Sequence, residues 1–193
     1  DEEKNLVRCL KSLLPILDSG LAELIIVDTG SKDNSIEIAK KYTNKVYQHS
    51  WTNDFSEMRN ISISYARGEW IWIMDADEEI ENPEEMIKLF QQDLSKYNTI
   101  TVKMKNYLRN IREVDNSKYS ISILARGFRN IKGFKYDGSI HEQPRCSRPY
   151  LASNIVIGHY GHIWEDEEFT KKKFERNVEI LRKELKKDPD NIY

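Results

Sequence analysis

Only two cysteines occur in 193 residues, Cys9 and Cys146, with no second Cys or His near either at metal-site spacing. That excludes a zinc site and a disulfide framework, and it fits a reducing cytoplasm. No apolar run approaches the ~18 residues that a membrane-spanning helix needs, and no secretory signal pattern is present. Charge of one sign is missing too: 30 Lys and Arg against 32 Asp and Glu leave a net charge of -2. A global attraction to nucleic acid or to an anionic membrane is therefore excluded, and any phosphate must be held locally. There is no internal repeat, no low-complexity segment and no glycine-rich phosphate loop. The chain starts at Asp1 and enters a helical pattern at once, so an earlier strand, with any targeting signal, is expected upstream.

What is present is a globular composition, 39% hydrophobic and 32% charged, enough for one core. DEEKNLVRCLKSLLPIL carries acids in its first turn and apolar residues at Leu6, Leu10, Leu13, Leu14 and Leu17, the spacing of an amphipathic helix. LAELIIVD (21–28), KVYQH (45–49) and EWIWIMD (69–75) read as strands. Between them Asn34 with Glu37, and Asp54 with Glu57, form capping-box patterns, and Gly68 stops the second helix. Asn82 and Pro83 open another. Strands alternating with helices predict an α/β fold with a mostly parallel central sheet, residues 1–97 forming a nucleotide-binding half. From residue 98 the pattern changes. NTITVKMKNY (98–107) and YSISILARGF (119–128) alternate polar with apolar, as antiparallel strands do, so 98–163 is expected to be an α+β acceptor half. From Glu165 to Lys187 the positions Phe169, Phe174, Val178, Leu181 and Leu185 predict a C-terminal amphipathic helix within 164–193.

Ligands of open parallel sheets bind beyond the carboxyl ends of the strands, which directs attention to the strand-end aspartates. Asp28 ends one strand before Thr29, Gly30 and Ser31, and either meets a nucleotide or serves the turn together with Asp33. Asp75 and Asp77 end another. In extended backbone residues i and i+2 share a face, so the two carboxylates can converge, and they would repel each other unless a cation shared them. Mg²⁺ or Mn²⁺ suits one or two carboxylates plus substrate phosphates; a solvated acidic loop is the plainer reading. Arg59 lies on the helix before this strand, in reach of phosphate or paired with Glu57 or Asp54. His159 and His162 close IVIGHYGH, and a strand-end histidine either completes a metal shell or is structural. Among the tryptophans, Trp70 and Trp72 alternate as core residues, whereas Trp51 is the candidate to line a cleft.

VDTGSKDNS, WTNDFSEMRN and ARGEWIWIMDADEEI, in that order, resemble the inverting GT-A glycosyltransferases of family 2, over residues 1 to about 163. The resemblance implies a GT-A fold and sugar transfer from a nucleotide-sugar donor, a UDP-sugar, to an acceptor that is a glycan, lipid-linked or a protein. It implies that Asp28 contacts the base, that Arg59 approaches the nucleotide, and that Asp75 and Asp77 form the metal and ribose site with His159 as a further ligand of Mn²⁺ or Mg²⁺. Many relatives carry two consecutive aspartates where this chain has Asp28 and Thr29. The HEQ segment in DGSIHEQPRC resembles that of one family branch and nominates Glu142 as the base, with Asp137 as runner-up and a plain turn carboxylate as the alternative. KKDPDNIY resembles the approach to a tetratricopeptide array, implying protein partners downstream, and peripheral association with the inner face of a membrane is a further expectation. Nucleotidyl transfer and a non-catalytic nucleotide-sugar-binding scaffold are the competing readings.

Overall fold

The computed structural model describes residues 1–107, 119–161 and 167–187. His162, Trp164, the expected boundary at 163/164, the Phe169 side chain and the 188–193 lead-in to a repeat array lie outside the described residues.

Helix α1 (Glu3–Asp18) buries Leu6, Leu10 and Ile16, and packs on β4 (Glu78–Ile80) and α4 (Pro83–Phe90). Strands β1 (Ile26–Asp28) and β2 (Val46–Gln48) pair in parallel through the crossover helix α2 (Ser35–Ala39). The expected capping box at Asn34 does not form. Asp33 Oδ1 accepts from the Ser35 amide at 3.0 Å, and the Asn34 side chain turns to Glu3 Oε2 at 2.9 Å. At α3 (Phe55–Tyr65) the cap itself holds, with Asp54 Oδ1 accepting from Glu57 N at 3.0 Å, while Glu57 Oε2 accepts from Thr52 Oγ1 at 2.7 Å.

The larger sheet has five strands in the order β3-β6-β5-β9-β4, from β3 (Trp70–Trp72), β5 (Thr99–Tyr107), β6 (Tyr119–Arg129) and β9 (Tyr150–His159) with β4. The α/β class is as expected, but the balance of pairings differs. Only β5–β9 is parallel in this sheet; β3–β6, β5–β6 and β4–β9 are antiparallel. Parallel pairing through a helical crossover is confined to β1–β2, while β3 takes its partner from the alternating strands of the second half. A small ribbon of β7 (Tyr136–Asp137) and β8 (Gln143–Pro144) and the helix α5 (Glu167–Lys187) complete the description.

One connection decides where the chemistry sits. β3 and β4 are at opposite edges of the five-stranded sheet, a width of about 19 Å if flat, yet only residues 73–77 separate them. The link must run across the strand ends. Ile73 N still donates to Arg126 O on β6, and Asp77 O accepts from Tyr160 N just past β9, each at 3.0 Å. Three apolar clusters fix this frame: one around Ile80, Met104 and Ile157, a second around Ile71 and Phe128, and a third joining Leu6 and Leu10 to Ala39. A cavity of about 1590 Å³ lies among β1, β3, α1, α3 and α5; its walls include Leu10, Ile26 and Ile71, and its lining extends to the link.

Candidate active site

The link turns rather than continuing as a strand. β3 ends at Trp72, and the Glu78 amide folds back to Asp75 O at 3.0 Å. The two carboxylates expected to converge therefore find different partners. Asp75 Oδ1 is 2.9 Å from Arg59 Nη2, and Arg59 Nε donates to Glu142 Oε1 at 2.6 Å. One guanidinium thus ties α3, the link and the β7–β8 ribbon together. Burial opposes its charge, but Asp75 and Glu142 outweigh burial and raise the Arg59 pKa above its ordinary value.

Asp77 goes the other way, to His159 at the end of β9, with Oδ2 3.4 Å from Nε2. His159 Nδ1 faces Asn106 Oδ1 at 3.2 Å, while Asn106 Nδ2 donates to Ser122 Oγ at 3.2 Å. With Nδ1 donating to the amide oxygen, the protonated ring points its Nε2–H at Asp77, and in the neutral ring the same position carries the lone pair that a cation would take. Burial pushes the Asp77 carboxyl up, yet His159 overrides it and holds it below the usual range; the same contact raises the His159 pKa against burial. Gly161 keeps this corner open. A Cβ there would stand 2.3 Å from Asp77 Oδ2 and 2.8 Å from His159 Nε2.

Among the described residues, no group of three or more His, Cys, Asp or Glu could hold a metal ion. The donor set that fits the expected Mn²⁺ or Mg²⁺ is the pair Asp77 and His159, one oxygen and one imidazole nitrogen, with phosphates and water for the remaining positions. Asp75 is instead engaged by Arg59, and Arg126 Nη2 stands 3.6 Å away.

Asp28 is not drawn into this cluster. Its Oδ1 accepts from the amides of Gly30 at 2.9 Å and Ser31 at 3.0 Å, a turn that Gly30 permits with φ 113°. Burial works against ionisation, but the Ser31 side chain and these amides hold the Asp28 carboxyl below its ordinary range. Its neighbours Val27 and Thr29 line the cavity. Asp137 pairs with Lys135 and Arg145 away from the cavity lining, so of the two candidate bases only Glu142 lines it. Trp51 lines the cavity with its edge against Phe55, ring centroids 4.7 Å apart. Trp70 and Trp72 pack against Phe90.

Sequence reasoning missed the largely buried pair of Glu78 and Arg126. Glu78 is 1% exposed; it contacts Arg126 through Oε1 and accepts from the Asp75 amide at 3.0 Å through Oε2. Burial, with help from Asp75 and Asp77, pushes its pKa up against the opposing effect of Arg126. No local signal announces the contact: Glu78 pairs with His159 on β9, two strands from β6, and meets Arg126 only in the folded chain.

With the geometry in view, comparison with known proteins is decisive. The profile of Glycosyl transferase family 2 matches residues 1–155. The chain belongs to that family. Its α/β architecture is the GT-A fold that the motifs implied. Among family 2 relatives, the SPbeta prophage-derived glycosyltransferase SunS of Bacillus subtilis is 29% identical over 199 residues, covering 99% of this chain and 44% of SunS. A TPR repeat-containing protein of Synechococcus elongatus is 33% identical over 142 residues, 74% of this chain and 32% of that protein. The chain spans under half the length of these relatives. The S. aureus TarS structure in complex with UDP-GlcNAc aligns with a TM-score of 0.48 and 27% identity, over 59% of this chain and 34% of that one.

Proposed function

We propose that this chain transfers a sugar from a nucleotide-sugar donor, a UDP-sugar, to an acceptor with inversion at the anomeric carbon, and that it requires a divalent cation. The observation that carries the reading is Arg59 bridging Glu142 to Asp75, with Asp77 on the same link meeting His159 at the end of β9 and both pairs lining the same cavity.

Asp77 and His159 would hold Mn²⁺ or Mg²⁺, which when bound would supply positive charge against the donor's diphosphate. Arg59 fixes Glu142 Oε1, and Oε2, without a hydrogen bond among the described residues, takes the acceptor's proton. The acceptor atom forms its bond to the anomeric carbon from the face opposite the diphosphate. The old carbon–oxygen bond breaks with its electron pair staying on the diphosphate. Asp28, at the carboxyl end of a parallel strand pair, is assigned to the nucleoside.

No helix among the described residues is long and apolar enough to cross a membrane. A peripheral membrane contact and a protein-binding repeat array downstream belong to the same proposal, the latter supported by the TPR-containing relative.

The test is incubation with a panel of nucleotide-sugars, with and without Mn²⁺, following nucleoside diphosphate release and product anomer. Metal-dependent UDP release is expected, with an inverted product and a loss of ~10²–10⁴-fold in Glu142→Gln. Conversion of the nucleotide-sugar to nucleoside triphosphate and sugar 1-phosphate when pyrophosphate is added would identify nucleotidyl transfer instead, and binding without turnover a scaffold.

A further inference from the structure

The helix α5 presents an unexpected face to the rest of the protein. Lys173, Arg176, Asn177, Ile180 and Glu184 recur at helical spacing on one side. Ile180 is 2% exposed, and Glu184 Oε1 accepts from the Ser139 amide at 2.8 Å, which pins the helix to the loop before Glu142. Lys173, Arg176 and Asn177 line the same cavity as Arg59, Asp77 and Glu142.

Arg176 is the unusual member. Its guanidinium stands 5.1 Å from the Phe55 ring centre, and its Nε and Nη2 donate to Asn177 Oδ1 at 3.2 and 3.1 Å. Among the described residues no carboxylate pairs with it, although the chain has 32 acids and Arg59 in the same cavity holds two of them. Burial alone holds its pKa below the usual arginine value, since no neighbouring anion offsets the cost. A partly buried cation without a counter-charge is costly unless a ligand supplies one, and a planar guanidinium suits two phosphate oxygens at once. Lys173, one turn earlier on the same face, acts electrostatically on both Asp77 and Glu2, so the cationic side of α5 extends toward the Asp77 and His159 pair.

We propose that Arg176 binds the diphosphate of the nucleotide-sugar, so that α5 supplies one wall of the donor site. This rests on the transferase reading above and adds a residue to it. Calorimetry on the full chain with Mn²⁺ present, using UDP and separately inorganic pyrophosphate, tests it. Arg176→Ala should weaken both ligands by ~10-fold or more, because a charge-assisted pair is lost. Arg176→Lys should recover part of that loss, and Lys171→Ala, on the exposed side of α5, should bind within twofold of the parent. Unchanged affinity for both ligands in Arg176→Ala overturns the proposal. If Arg176→Ala loses helical circular dichroism, Arg176→Lys carries the decision: at least threefold weaker binding supports the proposal, and parental affinity sinks it. A parent that binds pyrophosphate but no nucleotide defeats the transferase reading while leaving the pyrophosphate comparison to decide this one; a parent that binds neither defeats both.

Discussion

Helices α1 and α5 both border the cavity, and they face it in opposite ways. α1 faces it mainly with Leu6, Leu10, Leu13 and Leu17, as its periodicity announces, and brings charge to the lining only in its first turn, at Glu3 and Lys4. α5 sends Lys173, Arg176 and Asn177 to the cavity, while Phe174 is 66% exposed and Leu185 45% exposed. The amphipathic pattern of α5 was legible, but not that Phe174 and Leu185 would stand exposed while polar residues meet the cavity. Hydrophobic burial decides the orientation of a helix when the opposing surface is apolar. Opposite a carboxylate-rich site, charge and hydrogen bonds decide it.

Substitutions on or under the two helices can break this contrast. The largest effect is expected beneath α1, where Glu78→Ala leaves Arg126 buried without its main partner; a loss of about 3–5 kcal/mol in urea unfolding is anticipated, and a loss under 1 kcal/mol would show the pair to be solvated. Leu10→Ala should cost about 3 kcal/mol by the same measurement, from lost burial and the space left behind. Asp54→Ala removes the cap of α3, the helix that carries Arg59, and should lower stability by about 1 kcal/mol. Phe174→Ser on the outer face of α5 should change stability by less than ~0.5 kcal/mol; a drop of several kcal/mol would mean that this face is covered in solution and that the contrast fails.

How much was legible follows the same physics. The cap at Asp54 was read correctly because a cap is a local hydrogen bond that neighbours in sequence can specify. Asn34 with Glu37 had the same spacing and failed, because Asp33 took the Ser35 amide and Glu3, 31 positions away, took the Asn34 side chain. The strand at 69–75 was placed correctly but extended too far, since nothing local reveals that the chain must leave one sheet edge for the other. Asp75, Asp77, Arg59, Glu142 and His159 were all named from the sequence. Their grouping into Glu142–Arg59–Asp75 and Asp77–His159 was not, because it depends on the turn at 75–78. Arg176 was invisible in advance: its distinction is the lack of an acidic partner, and that is a property of three dimensions.

The bridging link 73–77 makes the site sensitive to length as well as to chemistry. Both its ends are anchored, at Arg126 O and at the Tyr160 amide, and its two acids serve different elements, Arg59 on α3 and His159 on β9. A single glycine inserted after Ala76 would slide one carboxylate away from the imidazole while sparing the other's hold on its guanidinium. Insertion can thus uncouple the Asp77–His159 corner from the Glu142–Arg59–Asp75 corner without removing any functional group.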